Sequence, residues 1–143
     1  MKLQKLFDEP IVSFEIVTLR ISGMRFVNEY EIVMNEGRAR VSRYGIRFQR
    51  DEDARVLEAR AECGLETALG LLNDCKLLSW DGFHGKHPKD VRDGTMFTLE
   101  ATVNGDQRIY ADGSENFPKH YRELIDGLRK ILENGTDHGK GAE

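Results

Sequence analysis

Apolar and polar residues alternate along most of the first half of the chain, and this period of two constrains the fold more than any other feature. Successive side chains of a strand point to opposite faces of a sheet, so alternation predicts strands with one dry face and one wet face. From Val12 the apolar residues fall at even positions as far as Ile16, and at odd positions from Val17 to Ile21. The change predicts a bulge near Ile16 in the first strand.

The next two strands are predicted to form a hairpin. Asn35-Glu36-Gly37 is a tight-turn signal, and pairing Asn35 with Arg38 sets the register. That register gives a polar face with Glu29, Glu31, Arg38 and Arg40, and an apolar face with Ile32, Met34, Ala39 and Val41. Near Ser42-Arg43 the third strand changes phase, and its later apolar residues are Tyr44, Ile46 and Phe48.

Composition and pattern disagree over the next segment. It is rich in Ala, Leu, Glu and Arg, which are good helix formers. However, Leu57, Ala59, Ala61 and Cys63 alternate with Glu58, Arg60 and Glu62. Because strict alternation is the stronger signal, the segment is predicted to be a fourth strand.

A helix and a long loop are predicted to follow. The apolar residues from Leu65 to Cys75 have helical spacing. The loop from Asp81 to Gly94 exceeds the usual length of a connection, which favours a purpose for it.

The last third of the chain predicts a second hairpin and a second helix. Asn104-Gly105 marks the turn between a strand from Phe97 to Val103 and a return strand from Gln107 to Ala111, with Asp112-Gly113-Ser114 breaking the return strand. Pro118 is predicted to begin the helix, an apolar stripe runs from Tyr121 to Leu132, and Asn134-Gly135 is predicted to end it.

These elements predict a single α+β domain over residues 1–135, with two layers. Its mostly antiparallel sheet consists of a four-strand meander, a helix, a hairpin and a final helix in chain order, with the helices on one face. The other face is predicted to be wet, with Glu15, Arg20, Glu58, Arg60, Glu62 and Glu100 on it. Residues 136–143 are small and polar and are predicted to form a disordered tail.

Four arginines crowd the third strand, namely Arg38, Arg40, Arg43 and Arg47. They would suit a stripe that tracks nucleic-acid phosphates, or cross-strand ion pairs with Glu29 and Glu31 on a wet face. Ion pairing is favoured, because the net charge of the chain is -4 and a phosphate stripe usually accompanies positive charge. We therefore expect no nucleic-acid partner, and a protein partner for this face stays open.

The sequence composition indicates where in the cell the protein is located. No apolar run approaches the roughly 20 residues that cross a bilayer, and the first residues lack the apolar core of a signal peptide. Cys63 and Cys75 have no metal or redox spacing and are expected to be reduced thiols. We expect a bacterial protein in the cytoplasm, with no membrane partner. An uncovered strand edge would support a symmetric homodimer.

The long loop offers two kinds of chemistry. Asp81, His84, His87, Asp90 and Asp93 lie close together in the sequence, and His120 could join them in space. His84 and His87 could share a zinc ion, and the histidines could act as acid or base. The alternative is a solvated loop with Asp-Gly turns. No cysteine is close in the sequence and the spacing matches no calcium loop, so we expect no metal and no cofactor. Because no nucleophile is marked either, a non-catalytic role is favoured over an enzymatic one.

Aromatic residues flank the same loop. Trp80, Phe83, Phe117 and Tyr121 could line a ligand groove, or they could pin the loop and the last helix onto the core. Pinning is favoured, because large aromatic side chains are usually packing residues.

Three segments of the chain resemble those of a known family. Ser79 to Gly85, Asp93 to Phe97 and Ala111 to Pro118 contain a Trp-Asp-Gly-Phe motif and a Gly-Ser-x-x-Phe-Pro motif. From about Cys63 onward the chain resembles an uncharacterised family of small proteins from Gram-positive anaerobic bacteria. That family has no assigned activity, cofactor or catalytic residue, so the resemblance implies no function. It implies a strand end at Cys63-Gly64.

The sequence leaves two predicted functions. The first is a binding or protein-interaction module that holds a protein or peptide with the loop Trp80–Gly94 and the segment Gly113–Pro118. Its candidate binding residues are Trp80, Asp81, Phe83, His84, His87, Asp93, Ser114 and Phe117. The alternative is a metal-dependent or acid–base enzyme centred on residues 81–93.

Overall fold

The structure is a computed structural model that describes the backbone of residues 10–49, 52–92 and 94–141. Side chains are described within these ranges apart from residues 48, 49, 52, 53 and 136–141. Seven strands are present, namely β1 (Phe14–Ser22), β2 (Val27–Asn35), β3 (Arg38–Gln49), β4 (Glu52–Gly64), β5 (His84–Gly85), β6 (Met96–Val103) and β7 (Gln107–Ser114). The helices are α1 (Leu65–Asp74), a 3-10 turn (Leu77–Trp80) and α2 (Tyr121–Gly141).

All seven strands form one sheet in the order β4-β3-β2-β1-β6-β7-β5. The meander and the second hairpin are joined because β1 pairs with β6. The prediction of an α+β fold with a mostly antiparallel sheet is confirmed. Its detail differs, since the loop contains the additional strand β5, which runs parallel to β7. β7 also continues to Ser114, which pairs with Met96 of β6, so the predicted break after Ala111 is wrong.

Local signals in the first half are confirmed. The register of β1 against β6 shifts between Phe14 and Ile16, where the bulge is predicted. Asn35 pairs with Arg38, and Glu36 and Gly37 between them have positive φ angles of 53° and 79°. These angles are those of the tight turn that suits a twisted hairpin.

The phase change predicted near Ser42-Arg43 of β3 coincides with a bulge in the neighbouring strand β4. Pairing between β2 and β3 is continuous, whereas Arg43 pairs with Ala59 and Tyr44 with Leu57, which leaves Glu58 as an extra residue in β4. The bulge turns Glu58 toward the side of Arg43, whose Nε donates to its carboxylate over 3.1 Å. The prediction that Glu58 lies on the wet face is therefore wrong.

Both helices cover the same face of the sheet. Ile32 of β2, Leu99 of β6 and Leu128 of α2 belong to one cluster of buried residues, which Leu72 of α1 also joins. Met34 lies on this face but is exposed at the hairpin end. The predicted separation into a dry and a wet face thus accounts for the core.

The wet face carries cross-strand ion pairs, but not with the predicted partners. Arg38 and Arg40 pair with Glu62 of β4 at 3.8 and 3.4 Å. Glu29 and Glu31 instead pair with Arg55 of β4, each at 3.7 Å. The register explains the exchange, because Tyr44 and Ser42 lie opposite Glu29 and Glu31 on β3.

The limits of α2 differ from those predicted. It begins at Tyr121 and not at Pro118, because His120 has a φ angle of 72°, which no right-handed helix contains. It continues through Asn134-Gly135 to Gly141, so the predicted tail is helical as far as residue 141, and residues 142–143 lie outside the described residues. Gly135 serves close packing, since a Cβ there would overlap the Cβ of Ala61.

Over the described part of the chain, no helix has both the length and the apolar character needed to cross a bilayer.

The role of Gly135 can be tested by comparing two glycine substitutions. Gly135→Ala should lower the free energy of unfolding by about 1–2 kcal/mol, because overlap with Ala61 outweighs the better helix propensity of alanine. Gly70→Ala in α1 is the control, since nothing lies within 4 Å of its added methyl. It should raise stability by about 0.5–1 kcal/mol. Urea denaturation measures both, and a stabilised Gly135→Ala variant would contradict the close contact.

Candidate functional site

Trp80 is a core residue. Its side chain is only 1% exposed, and its indole Nε1 donates to the carbonyl oxygen of Cys75 over 3.2 Å. Burial of the ring with its only donor satisfied leaves no surface for a ligand. Trp80 therefore anchors the start of the loop.

Phe97 of β6 is the centre of a cluster of aromatic rings. The ring of Trp80 meets it edge-on at 6.4 Å between centroids, and Phe83 and Phe117 lie at 6.2 and 5.7 Å. Tyr121 lies at 5.1 Å and stacks on Phe117 at 4.4 Å. The cluster joins the loop, the segment after β7 and the first turn of α2, which supports the prediction that these aromatics pin the loop.

Asp81 fastens the loop along the edge of β7. Its Oδ1 accepts the backbone N–H of Tyr110 over 2.9 Å, and the backbone N–H of Gly82 donates to the carbonyl oxygen of Tyr110 over 2.9 Å. Farther along, the N–H of Asp112 donates to the carbonyl oxygen of Phe83 over 3.0 Å. Asp81 thus supplies an acceptor where β7 would otherwise present an unpaired backbone donor.

Gly85 and Gly113 allow the loop and the segment after β7 to pack closely together. At Gly85 and at Gly113, a Cβ would collide with the carbonyl oxygen of Asn116, and at Gly113 also with the ring of Phe97. The side chain of Asn116 donates to the carbonyl oxygen of Lys86 over 3.3 Å. These glycines permit a close approach of backbone to backbone, which no larger residue allows.

His84 belongs to a small hydrogen-bonded group on the wet face. Its Nδ1 lies 2.8 Å from Oδ1 of Asp112, and the Tyr110 hydroxyl donates to Oδ2 of Asp112 over 3.1 Å. The bond with His84 is the main cause that lowers the pKa of Asp112, and the bond with Tyr110 adds to it. Donating this bond to the Asp112 carboxylate raises the pKa of Tyr110. The His84 side chain is 64% exposed, so no enclosed cleft surrounds the group.

The other two histidines of the predicted set point to different partners. His87 Nδ1 lies 2.7 Å from Ser114 Oγ, and its Nε2 contacts the carbonyl oxygen of Val91. His120 Nδ1 lies 2.8 Å from Oε1 of Glu123. Among the described residues no group of three His, Cys, Asp or Glu side chains could hold a metal ion. Asp93 lies outside the described residues.

A cleft lies beside the segment after β7, where two of the aromatics considered for a ligand groove, Phe117 and Tyr121, stack on each other. It measures about 610 Å³ and is bounded by β1, β2, that segment and the first turns of α2. Its lining residues are Ile21, Phe26, Asn28, Tyr30, Thr95, Glu115, Phe117, Pro118, His120, Tyr121, Arg122, Glu123, Ile125, Asp126 and Arg129. We call it the Tyr121 cleft. Of the predicted binding residues that the structure describes, Phe117 alone lines it.

Tyr121 is the distinctive wall of this cleft. Its hydroxyl is shielded from solvent and has no hydrogen-bond partner among the described residues, and burial raises its pKa to about 12. At neutral pH the hydroxyl is therefore protonated and able to donate. In the sequence, Tyr121 fits both a ligand groove and the buried stripe of the last helix, and the preference of large aromatics for packing favoured the stripe.

No protein-family model matches the chain, and no curated protein matches it.

The hydrogen bonds to Asp112 predict an order of pKa changes. His84→Ala should raise the pKa of the Asp112 carboxyl toward its ordinary value, and Tyr110→Phe should raise it less, because the bond with His84 is the larger cause. The pKa in the folded state lies below that in the unfolded state. These bonds thus contribute stability above the unfolded pKa and lose it as the pH falls through the folded pKa. Titration of the ¹³C carboxyl resonance measures both changes, and a larger effect of Tyr110→Phe would contradict the assignment.

Proposed function

We propose that this chain is a non-catalytic binding module and that its ligand is a segment of a peptide or protein held in the Tyr121 cleft. The Tyr121 hydroxyl carries the proposal, because a shielded polar group without a partner is costly unless something else satisfies it. A carbonyl oxygen of an incoming segment is a suitable acceptor.

The size and the lining of the cleft support a ligand of a few residues. Its volume of about 610 Å³ lies in the range of about 300–1,000 Å³ that is usual for ligand sites. Phe26, Phe117 and Ile125 supply apolar surface, and Phe26 is 47% exposed. An exposed aromatic beside a concave surface suits burial of an apolar side chain of a partner.

The charges around the cleft favour a peptide over a polyanion. Glu115, Glu123 and Asp126 line it together with Arg122 and Arg129. The neighbouring Tyr30 hydroxyl raises the pKa of Arg129. Carboxylates among the cations would repel a phosphate backbone, whereas both signs together suit the alternating donors and acceptors of a peptide.

The two thiols support a non-catalytic role. Burial raises the pKa of Cys75 to about 11, and burial also raises the pKa of Cys63. Since the thiolate is the nucleophile, both groups are poor nucleophiles at neutral pH. Both are free cysteines, which agrees with the predicted cytoplasmic setting. That setting, the bacterial source and the family suggested by the motifs stay proposals.

Selection from a phage-displayed library of random peptides tests the site. Peptides enriched on the wild-type protein should bind Tyr121→Phe about threefold to tenfold more weakly, which is the effect of one lost hydrogen bond. Phe26→Ala should also weaken binding. Tyr110→Phe is the matched control, because it removes a hydroxyl from the opposite face of the sheet, and it should leave the affinity unchanged.

Two outcomes would overturn the proposal. One is a failure to enrich any peptide on the folded protein. The other is a set of enriched peptides that bind Tyr121→Phe and Phe26→Ala as tightly as the wild type, since their site would then lie elsewhere.

A further inference from the structure

The two edges of the sheet differ. On one side, residues 81–85 lie along β7 and the carboxylate of Asp81 accepts a backbone N–H of that strand. On the other side lies β4, a strand of 13 residues. Among the described residues β4 pairs with β3 alone. A long strand with one unpaired side presents a row of backbone donors and acceptors to another strand.

The middle of β4 is also apolar and exposed. Val56 and Leu57 are 39% and 47% exposed, and they lie next to each other in the strand. Because their side chains point to opposite faces, a strand added to β4 would cover part of both. The free edge is thus flanked by apolar surface above and below.

The bulge at Glu58 fixes which residues share a face. Arg55 and Leu57 precede the bulge on the wet face, where the Arg55 guanidinium lies 3.7 Å from the centre of the Tyr44 ring and Leu57 pairs with Tyr44. Beyond the bulge the wet face continues with Arg60, which donates to Ser42 Oγ over 2.9 Å. The residues of β4 on the helix-covered face are Ala54, Val56, Ala59, Ala61 and Cys63.

We propose that β4 pairs with β4 of a second copy of this chain in an antiparallel, two-fold symmetric arrangement. Cross-strand neighbours must share a face. The bulge changes which residues of β4 point to each face of the sheet. When residues 54–63 of the two copies pair along their whole length, only one register places every residue opposite a residue of the same face. It places the two bulges side by side, with Glu58 opposite the partner's Ala59.

This register brings opposite charges together on the wet face and apolar side chains together on the other face. On the wet face it sets Arg55 opposite the partner's Glu62, and the symmetry repeats the pair. On the other face it sets Val56 opposite the partner's Ala61. Opposite charges across strands are favourable and like charges are not. Leu57 lies opposite the partner's Arg60 in this register, so the wet face gains two pairs of opposite charge and no directly opposed pair of like charge. A second copy therefore fits this edge better than a partner of uniform charge.

The register brings Ala54 next to the partner's Cys63, and a disulfide can report this contact. Facing residues of antiparallel strands have Cα atoms about 4.5–5.5 Å apart, which a disulfide can bridge. Within one chain the two positions are about 30 Å apart along the strand. Ala54→Cys treated with diamide should therefore form a covalent dimer, visible by electrophoresis without reductant.

Two control variants make the result specific. Ala54→Cys/Cys63→Ser should not cross-link, because it lacks the second thiol. Leu57→Cys should not cross-link either, because its thiol lies on the other face from Cys63. Circular dichroism of the reduced variants confirms that each is folded.

Sedimentation velocity of the wild-type protein gives an independent measurement. We expect a dimer at micromolar concentration. A monomer throughout the range used for cross-linking would overturn the proposal, and so would a dimer in which folded Ala54→Cys fails to cross-link. Neither result bears on the peptide site, because the Tyr121 cleft is not part of β4.

Discussion

The packing around Phe97 is the interaction on which the rest of the molecule depends. Phe97 is 2% exposed in β6, and rings from the loop, from the segment after β7 and from α2 converge on it. It also dictates its neighbour across the hairpin, because only a glycine at position 113 leaves room for its ring. The position of Tyr121, and with it the shape of the cleft, follows from this one cluster.

Ion pairs connect the charged side chains of the wet face but contribute little to the free energy of unfolding. Glu62 forms ion pairs with both Arg38 and Arg40. Arg55 forms ion pairs with both Glu29 and Glu31, and its guanidinium lies over the ring of Tyr44. Ion pairs in contact with water contribute little. Their effect is to neutralise the arginines of β3 locally, which is why a strand so rich in positive charge does not form a continuous basic stripe.

The sequence predicted those features that short-range patterns determine. Alternation identified β4 against its helical composition, and Asn35 with Arg38 gave the register of the first hairpin. Features that depend on a distant partner were missed. Glu58 bulges because of pairing with β3, α2 passes through Gly135 because Ala61 lies beneath it, and β5 exists because β7 is beside it.

The site was predicted less well than the fold, for a related reason. Trp80, Asp81, His84 and His87 are conspicuous in sequence, yet Trp80 is buried and the others bond to nearby groups of the chain itself. Apart from Phe117 and Tyr121, which the sequence analysis considered for a ligand groove, the cleft is lined by residues that are unremarkable one by one. What makes Tyr121 unusual is a missing hydrogen bond, and a missing partner leaves no trace in a sequence.

Asp81 has a consequence for how far molecules of this kind can associate. A sheet with an unpaired edge strand on both sides can add further strands without limit, which leads to fibres. Here a single carboxylate and a short parallel strand occupy one margin. The loop whose acids and histidines first suggested catalysis therefore leaves less of this edge open to strand pairing, which disfavours open-ended polymerisation.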